Sequence, residues 1–443
     1  MAPRPLPSTG AVTGLLETVG FFRDPDFARR RFERFGNVFE TKLLGQPTVF
    51  VRGGQAIGDL LAQPQASEGW WPASVRMLLG SRSLANRNGA GHRARRRVVG
   101  QLFTAAALRR YTPGIVALVE ALVADLQTAQ APVALADRLR RFAFAVIAGV
   151  VLGLEGDDRE ALFIDFEIWT RALFSLPLAL PGSPFSRALE ARTRLLARLK
   201  QVLTRRPLPG GLDLLSGGLD EAGVPLDDDD LVDQLLLLLF AGYETTASSL
   251  SCLMAAVLQH PELTPWLQAD LEGLPWPPDD REAPVAPRLD ALVSEVMRLN
   301  PPVGGFFRRT TADLVLDGVA VPAGRVVQVA LAASNRLRND GSSDDDLDRF
   351  RPQRHLDGDP GLTLLPFGGG ERVCLGKALA ELEIRLMAVG LLKQVPLQLL
   401  PDQDLGLRLM PSPSPRDGLL VLPSTQAPPG PRPQPAGTPP LRG

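Results

Sequence analysis

Cys374 stands in the run Phe367-Gly-Gly-Gly370-Glu-Arg372-Val-Cys374-Leu-Gly376, between glycine turns and the helix-forming stretch Lys377 to Met387. A cysteine there lies at a helix N-terminus, where unpaired backbone N–H groups and the helix dipole stabilise a thiolate. A persistent thiolate is what an electron-donating axial ligand to haem iron has to be. Three other chemistries compete. A buried structural cysteine is the ordinary role of this residue type, but it requires neither the glycines nor Arg372. A phosphate loop is suggested by Gly376-Lys377, yet five residues rather than four separate Gly370 from Gly376, and Ala378 stands where Ser or Thr is needed. Zinc needs several ligands at short spacing, and Cys252, the other cysteine, is far away in an apolar stretch.

Further chemistry-bearing types recur at helical spacing. In Ala241-Gly242-Tyr243-Glu244-Thr245-Thr246 a carboxylate adjoins a hydroxyl, and Ala241 and Thr245, four apart, share a helix face. Read alone, such a threonine bonds back to the carbonyl of the preceding turn. Glu295-Val-Met-Arg298 sets two opposite charges three apart; alone, the pair is a surface contact worth under about 1 kcal/mol. His92 and Arg96 lie four apart in Gly91-His-Arg-Ala-Arg-Arg-Arg97, and His92 alone reads as an ordinary partly buried histidine. Arg93, Arg95 and Arg97 point elsewhere and make a basic patch. His260 ends a helix before Pro261; His355 has no assignment from sequence.

The elements that position these residues are readable in part. Residues 37–52 form a hairpin around Gly45-Gln-Pro47, and 311–332 alternate and turn like a small antiparallel sheet. From Ala106 onward the period is helical: Ala106 to Tyr111, Ile115 to Gln130, and Leu135 to Leu154. Asp227 to Asp230 precede an apolar helix and cap it rather than bind metal. Asp344 to Asp346 read as a solvated turn, because the glycine and distal glutamate of a calcium loop are absent. Residues 424–443, rich in Pro and Gly, read as a disordered tail.

The 443 residues carry 48 basic and 49 acidic side chains, so no net charge draws the chain to nucleic acid or an anionic membrane. Two cysteines give no disulfide framework, which suits a reducing, cytoplasmic setting. The N-terminus has no signal-peptide core, and the apolar run Leu235 to Gly242 falls short of the roughly 20 residues that span a bilayer, so no transmembrane anchor is expected. Ala11 to Phe22 is mildly amphipathic and is expected to pack against the protein rather than touch a membrane.

The spacing Phe-x-x-Gly-x-Arg-x-Cys-x-Gly, filled by Phe367, Gly370, Arg372, Cys374 and Gly376, resembles the haem-binding signature of the cytochrome P450 family. Four further segments match that family in order, so the resemblance covers about residues 24 to 423. It implies a mainly α fold with a small β region, haem b between the central oxygen-binding helix and the cysteine-loop helix, and a single catalytic domain over 1–423. The length alone suggests two to four domains of about 100–200 residues; the resemblance overrides it. Cys374 becomes the iron ligand. Ala241, Gly242, Glu244 and Thr245 become the oxygen site: Gly242 keeps the helix face thin, Thr245 hydrogen-bonds oxygen and Glu244 relays protons. His92, Arg96, Arg308 and Arg372 face the haem propionates. Arg354, in Phe350-Arg-Pro352-Gln-Arg354, joins Glu295 and Arg298 in a buried triad that holds the cysteine loop.

The resemblance implies monooxygenation: one atom of O₂ enters a C–H bond and the other leaves as water. No flavin or nicotinamide glycine fingerprint is present, so electrons are expected from a ferredoxin-type donor with its reductase, and the basic patch would steer that acidic carrier. Trp70, Trp71, Val75, Met77, Leu78, Phe306, Phe307, Trp169 and Leu173 to Pro184 are candidates to line a lipophilic substrate, each equally well a core residue. Pro301 to Arg308 and Leu176 to Gly182 look most like the soluble microbial branch that oxidises retinoids and related isoprenoids. A monomer is expected. Two alternatives stay open: a haem-thiolate isomerase or peroxygenase without a redox partner, and a non-catalytic haem or lipid binder.

Overall fold

The computed structural model describes residues 2–10, 14–24, 27–43, 45–173, 175, 177–205, 207–278, 285–339, 344–359, 361–362 and 364–423. The expected tail at 424–443, Leu176 and the start of the segment from Ala11 lie outside the described residues. Two compact units are present, Met1–Trp71 with Ser294–Cys374 and Pro72–Val293 with Leu375–Arg442.

The chain begins with α1 (Gly14–Arg23), α2 (Phe27–Phe35), β1 (Val38–Leu43), β2 (Gln46–Val51), α3 (Gly54–Leu61) and β3 (Ser67–Gly69). The second unit opens with α4 (Ala73–Leu79), α5 (Gly89–Gly100), α6 (Ala105–Thr128), β4 (Val133–Ala134) and α7 (Leu135–Ala145). A π-helical turn, Val146–Val151, leads to α8 (Gly156–Thr170), α9 (Pro184–Leu203), α10 (Asp228–Gln259) and α11 (Leu263–Leu271). Helix α12 (Pro287–Leu299) returns the chain to the first unit, with β5 (Gly305–Thr310), β6 (Leu314–Leu316), β7 (Val319–Val321), β8 (Val326–Ala330), α13 (Leu331–Ser334) and α14 (Arg354–Asp357). The end comprises α15 (Lys377–Gln394), β9 (Leu397–Leu399), β10 (Leu407–Arg408), β11 (Ser414–Pro415) and β12 (Leu420–Pro423).

In the first unit, five strands pair in the order β1-β2-β8-β5-β3. The hairpin at 37–52 has Val38 opposite Val51 and Leu43 opposite Gln46, with Gly45 at φ 79° in the turn. Pro47 precedes Thr48, where the parallel ladder to Val326 of β8 starts, so its missing N–H breaks no bond of that ladder. Asp317 and Gly318, at φ 47° and 71°, make the turn between β6 and β7. One apolar cluster gathers Val49, Val51, Ile57, Leu60, Leu316, Val327 and Val329; a separate aromatic one joins Phe27, Phe32, Phe39 and Phe50, with Phe39 and Phe50 stacked at 5.2 Å.

In the second unit α10 is central, packing on α7, α9 and α15. Its start is capped as expected: the Asp227 carboxylate accepts from the Asp230 N–H at 2.7 Å. By length and composition α10 is apolar enough to cross a membrane, but 72% of its most apolar stretch is buried inside the protein. The helical segments expected on either side of Pro113 are one continuous helix, α6.

Candidate functional site

The cysteine loop is a set of tight turns in the first unit. Gly368 and Gly370 adopt φ 70° and 68°, a region open to glycine at no steric cost. The Gly368 N–H bonds Leu365 O, Val373 bonds Gly370 O, and the Cys374 N–H bonds Phe367 O at 2.9 Å, so Phe367 and Cys374 close one ring of chain. A Cβ on Gly369 would run into Leu61. The Cys374 side chain is left exposed on this frame. Gly376, at φ −89°, starts α15 as its N-cap.

Glu295 is fully buried at the hub of a charge cluster in the same unit. Its carboxylate accepts from Arg298 at 2.8 and 2.9 Å, from Arg354 Nε at 3.2 Å and from the Arg351 N–H at 2.8 Å. His355 Nε2 completes the shell at 2.8 Å, which assigns the histidine that the sequence left without a place. Arg298 also donates to the carbonyls of Asn335 and Leu347, and Arg354 to the Asp346 carbonyl and carboxylate. The expectation of a solvated turn at Asp344 to Asp346 is therefore corrected. Asp346 is tied to Arg354, and Asp344 to Arg338.

Burial alone would raise the Glu295 carboxyl, but hydrogen bonds from Arg298 and His355, the Arg298 charge and the Arg351 N–H together pull it down to about 2, against an ordinary 4.5. A carboxyl depressed by folding contributes stability that is fully present above its unfolded pKa and is lost as the pH falls through the folded one. Thermal unfolding followed from pH 5 to about 2 should lose on the order of 3 kcal/mol from this group, and the loss should be absent in Glu295→Gln.

Arg308 and Arg372 bring two guanidinium groups together. Arg308 is pushed down to about 10, first by burial and then by the Arg372 charge. It donates to Phe307 O and lies 4.5 Å over the Phe306 ring, and among the described residues it has no carboxylate partner. Two close cations, one of them desolvated, make a seat for an anion. Gly69, opposite Arg308 on β3, is part of that seat, because a Cβ there would overlap the Arg372 guanidinium. Sequence reading missed Gly69, for the contact exists only once β3 and β5 pair.

The pleat separates the two expected phenylalanines. Phe306 goes with Arg308, while Phe307 meets Trp70 at 5.5 Å and Trp71 at 6.4 Å. Among the other lining candidates, Trp169, Val75, Leu78 and Leu173 are fully buried, and Trp169 Nε1 donates to Leu78 O at 3.2 Å. These four are packing residues. Met77 is exposed.

In the second unit, His92 is buried and Arg96 half-buried on α5, with Arg93 and Arg97 exposed. Arg95 does not join them in a basic patch. It is 4% exposed and pairs with Asp230 at 2.5 Å and Glu221 at 2.6 Å, because the start of α10 and the loop before it each supply a carboxylate on that side.

On α10, Ala241 is exposed, but the bare face of Gly242 is turned to Ile147, whose side chain lies 3.2 Å from where a Cβ would be. The thin face expected there thus serves packing against the π-helical turn. The Thr245 hydroxyl donates to Ala241 O at 2.7 Å, leaving its oxygen as an acceptor. Glu244 is buried and takes Arg140 of α7 at 3.0 and 3.4 Å. Burial raises its carboxyl above the ordinary value despite the Arg140 charge. Glu383 of α15 is buried, its carboxyl pushed well above the ordinary value by burial, and bonds Thr246. Arg140 and Glu383 carried no local motif that reading along the chain would isolate.

The family model described as Cytochrome P450 matches residues 5–426. "Putative cytochrome P450 120" of Synechocystis sp. is 35% identical over 416 residues, covering 91% of this chain and 93% of that protein. Cytochrome P450 26B1 of Danio rerio is 32% identical, covering 84% and 77%. Among solved structures, retinoic acid-bound cyanobacterial CYP120A1 superposes with a TM-score of 0.87 at 34% identity, over 96% of this chain and 100% of that one. CYP102L1 shares the fold, with a TM-score of 0.81 at 21% identity over 95% and 99%.

Proposed function

The chain belongs to the cytochrome P450 family, a monooxygenase whose cofactor is haem with a cysteine thiolate axial ligand, and from that membership we propose that Cys374 is the ligand and a lipophilic carboxylic acid of the isoprenoid class the substrate. The exposed Cys374 sulfur on its closed glycine frame is the observation that carries this reading. The residues fit the group: among the described residues Arg308 has no carboxylate partner, and the neighbouring guanidiniums of Arg308 and Arg372 match the propionates of haem. From the family membership alone, His92 and Arg96 of α5 are proposed as further haem-contacting residues. Bound there, haem supplies activation of O₂ and transfer of one oxygen atom into a C–H bond, which thiolate electron density favours.

The chain's own residues manage protons and position. Glu244, whose proton affinity burial raises despite the Arg140 charge, is the group that passes protons along the helix. The Thr245 oxygen, its own hydrogen fixed on Ala241 O, is left to accept a hydrogen bond and so to orient the group that receives the proton. Glu295, Arg298 and Arg354 fix the segments that lead into the cysteine loop. Phe306, beside Arg308, lines the substrate, and Trp70, Trp71 and Phe307 form a second aromatic group on its path.

The solved relative with retinoic acid bound supports the substrate class. Electrons come from a separate ferredoxin with its reductase, and the enzyme works as a cytoplasmic monomer. Residues 1–423 act as one catalytic domain. Adding retinoic acid to the haem-loaded protein should shift the iron spin state, and with ferredoxin, reductase and O₂ a hydroxylated product should form. Glu244→Gln should lower product formation by about 10² while leaving the spin-state shift intact. A panel of acidic isoprenoids giving neither shift nor product would remove the substrate assignment.

A further inference from the structure

Glu244 does not stand alone with Arg140. The same guanidinium reaches Glu167 of α8, Nη2 lying 3.0 Å from Glu244 Oε1 and 3.3 Å from Glu167 Oε1. Glu167 in turn accepts from the Tyr243 hydroxyl and takes Arg171 at 3.3 Å. The Arg140 guanidinium also lies 5.0 Å over the Tyr243 ring. The two carboxylates differ in access: the Glu244 side chain is 5% exposed and that of Glu167 21%. One cation therefore serves an inner acid and an outer one. What Glu244 feels is therefore the Arg140 attraction less the Glu167 repulsion.

The charged and titratable groups facing Glu244 come from every side of the site. Arg140 of α7 acts by contact and charge, Glu167 of α8 by repulsion, and Arg408 of β10 by weak attraction. Tyr243, its neighbour on α10, is kept protonated by burial and spends its hydrogen on Glu167. Arg140 itself stays charged throughout: burial opposes its charge, but Glu244 and Glu167 more than offset that and push its proton affinity up.

We propose that Arg140 is a positioning residue for proton delivery, aiming Glu244 along α10 and sharing its charge with Glu167, so that the outer acid of α8 sets how readily the inner acid holds a proton. The inference rests on the proton-relay role proposed for Glu244 and adds the device that tunes it. It ties α8 to the oxygen-site segment of α10 through side chains alone. A displacement of α8 that carries Glu167 away would remove its repulsion, leave the Arg140 attraction unopposed and weaken the hold of Glu244 on a proton.

Opposite substitutions give opposite shifts. The protonated-carboxyl infrared band that disappears in Glu244→Gln is followed against pH in the full-length protein, with and without haem. Arg140→Gln should move its midpoint up by roughly 1–3 pH units, the effect of removing an opposite charge at contact distance. Glu167→Gln should move it down, and Arg140→Lys should hold it near the parent value. In the loaded enzyme, the pH profile for product formed per O₂ consumed should follow the same order, with haem content unchanged. If Arg140→Gln and Glu167→Gln leave the midpoint where it was, the proposal is overturned. Should Arg140→Gln fail to fold, the downward shift in Glu167→Gln still decides the matter. A Glu244→Gln enzyme that makes as much product per O₂ as the parent would instead remove the relay role, whatever the band does.

Discussion

Glu295→Ala is expected to give protein that takes up little or no haem. The substitution removes one carboxylate and leaves Arg298 and Arg354, 1% and 2% exposed, without their common counter-charge. Stripping one member from a buried charge cluster costs about 3–5 kcal/mol, because the cations that remain cannot recover their hydration. Against a typical total stability of about 5–15 kcal/mol, that is a large share. The damage is also directed. Glu295 grips the Arg351 N–H and His355, while Arg298 grips the carbonyls of Asn335, Leu347 and Arg349, so the segment running toward the cysteine loop loses its fastening at several points. Haem content per mole of soluble protein is the measurement. A soluble, fully loaded Glu295→Ala protein would remove the assignment of this cluster to the cysteine loop. His355→Ala, which removes one bond of several, should cost less than Arg354→Ala.

Cys374→Ser is the second change with a large expected effect. The loop geometry should survive, because its closing bonds are backbone ones: Cys374 N–H to Phe367 O and Val373 N–H to Gly370 O. What changes is the donor. A serine hydroxyl does not ionise near neutral pH, so the electron density that a thiolate supplies is withdrawn. Product formation should fall by at least about 10³, roughly 4 kcal/mol in the barrier. The reduced carbon monoxide spectrum of any haem retained should lose its thiolate character. Parent-like turnover in Cys374→Ser would overturn the assignment of the iron ligand.

The legible part of the site was carried by short contiguous patterns. The cysteine loop, Glu295 with Arg298, and the carboxylate and hydroxyl of α10 each sit within a few residues, so spacing could isolate them. What escaped was made by pairing across long separations. Arg140 meets Glu244, Gly69 meets Arg372, and Arg95 meets Asp230 only after helices and strands have packed. A run of arginines looks the same along the chain whether one member is solvated or sealed. The opposite orientation of Phe306 and Phe307 was within reach, since the strand period alone separates neighbours; treating them as one lining group set that period aside. Thr245 shows a third case: its bond to the preceding turn is the plain behaviour of a helical threonine, and it coexists with a free acceptor face.

The parallel pairing of β2 with β8 has a consequence for synthesis. Thr48 must find Val326, and the strand carrying Val49, Phe50 and Val51 leaves the ribosome long before its partner is made. At about 5–20 residues per second, the wait is roughly a quarter of a minute to a minute. Throughout that interval the first hairpin presents an apolar edge suited to sticking to other nascent chains. A holding chaperone should therefore raise the yield of soluble protein more than any single stabilising substitution within the hairpin.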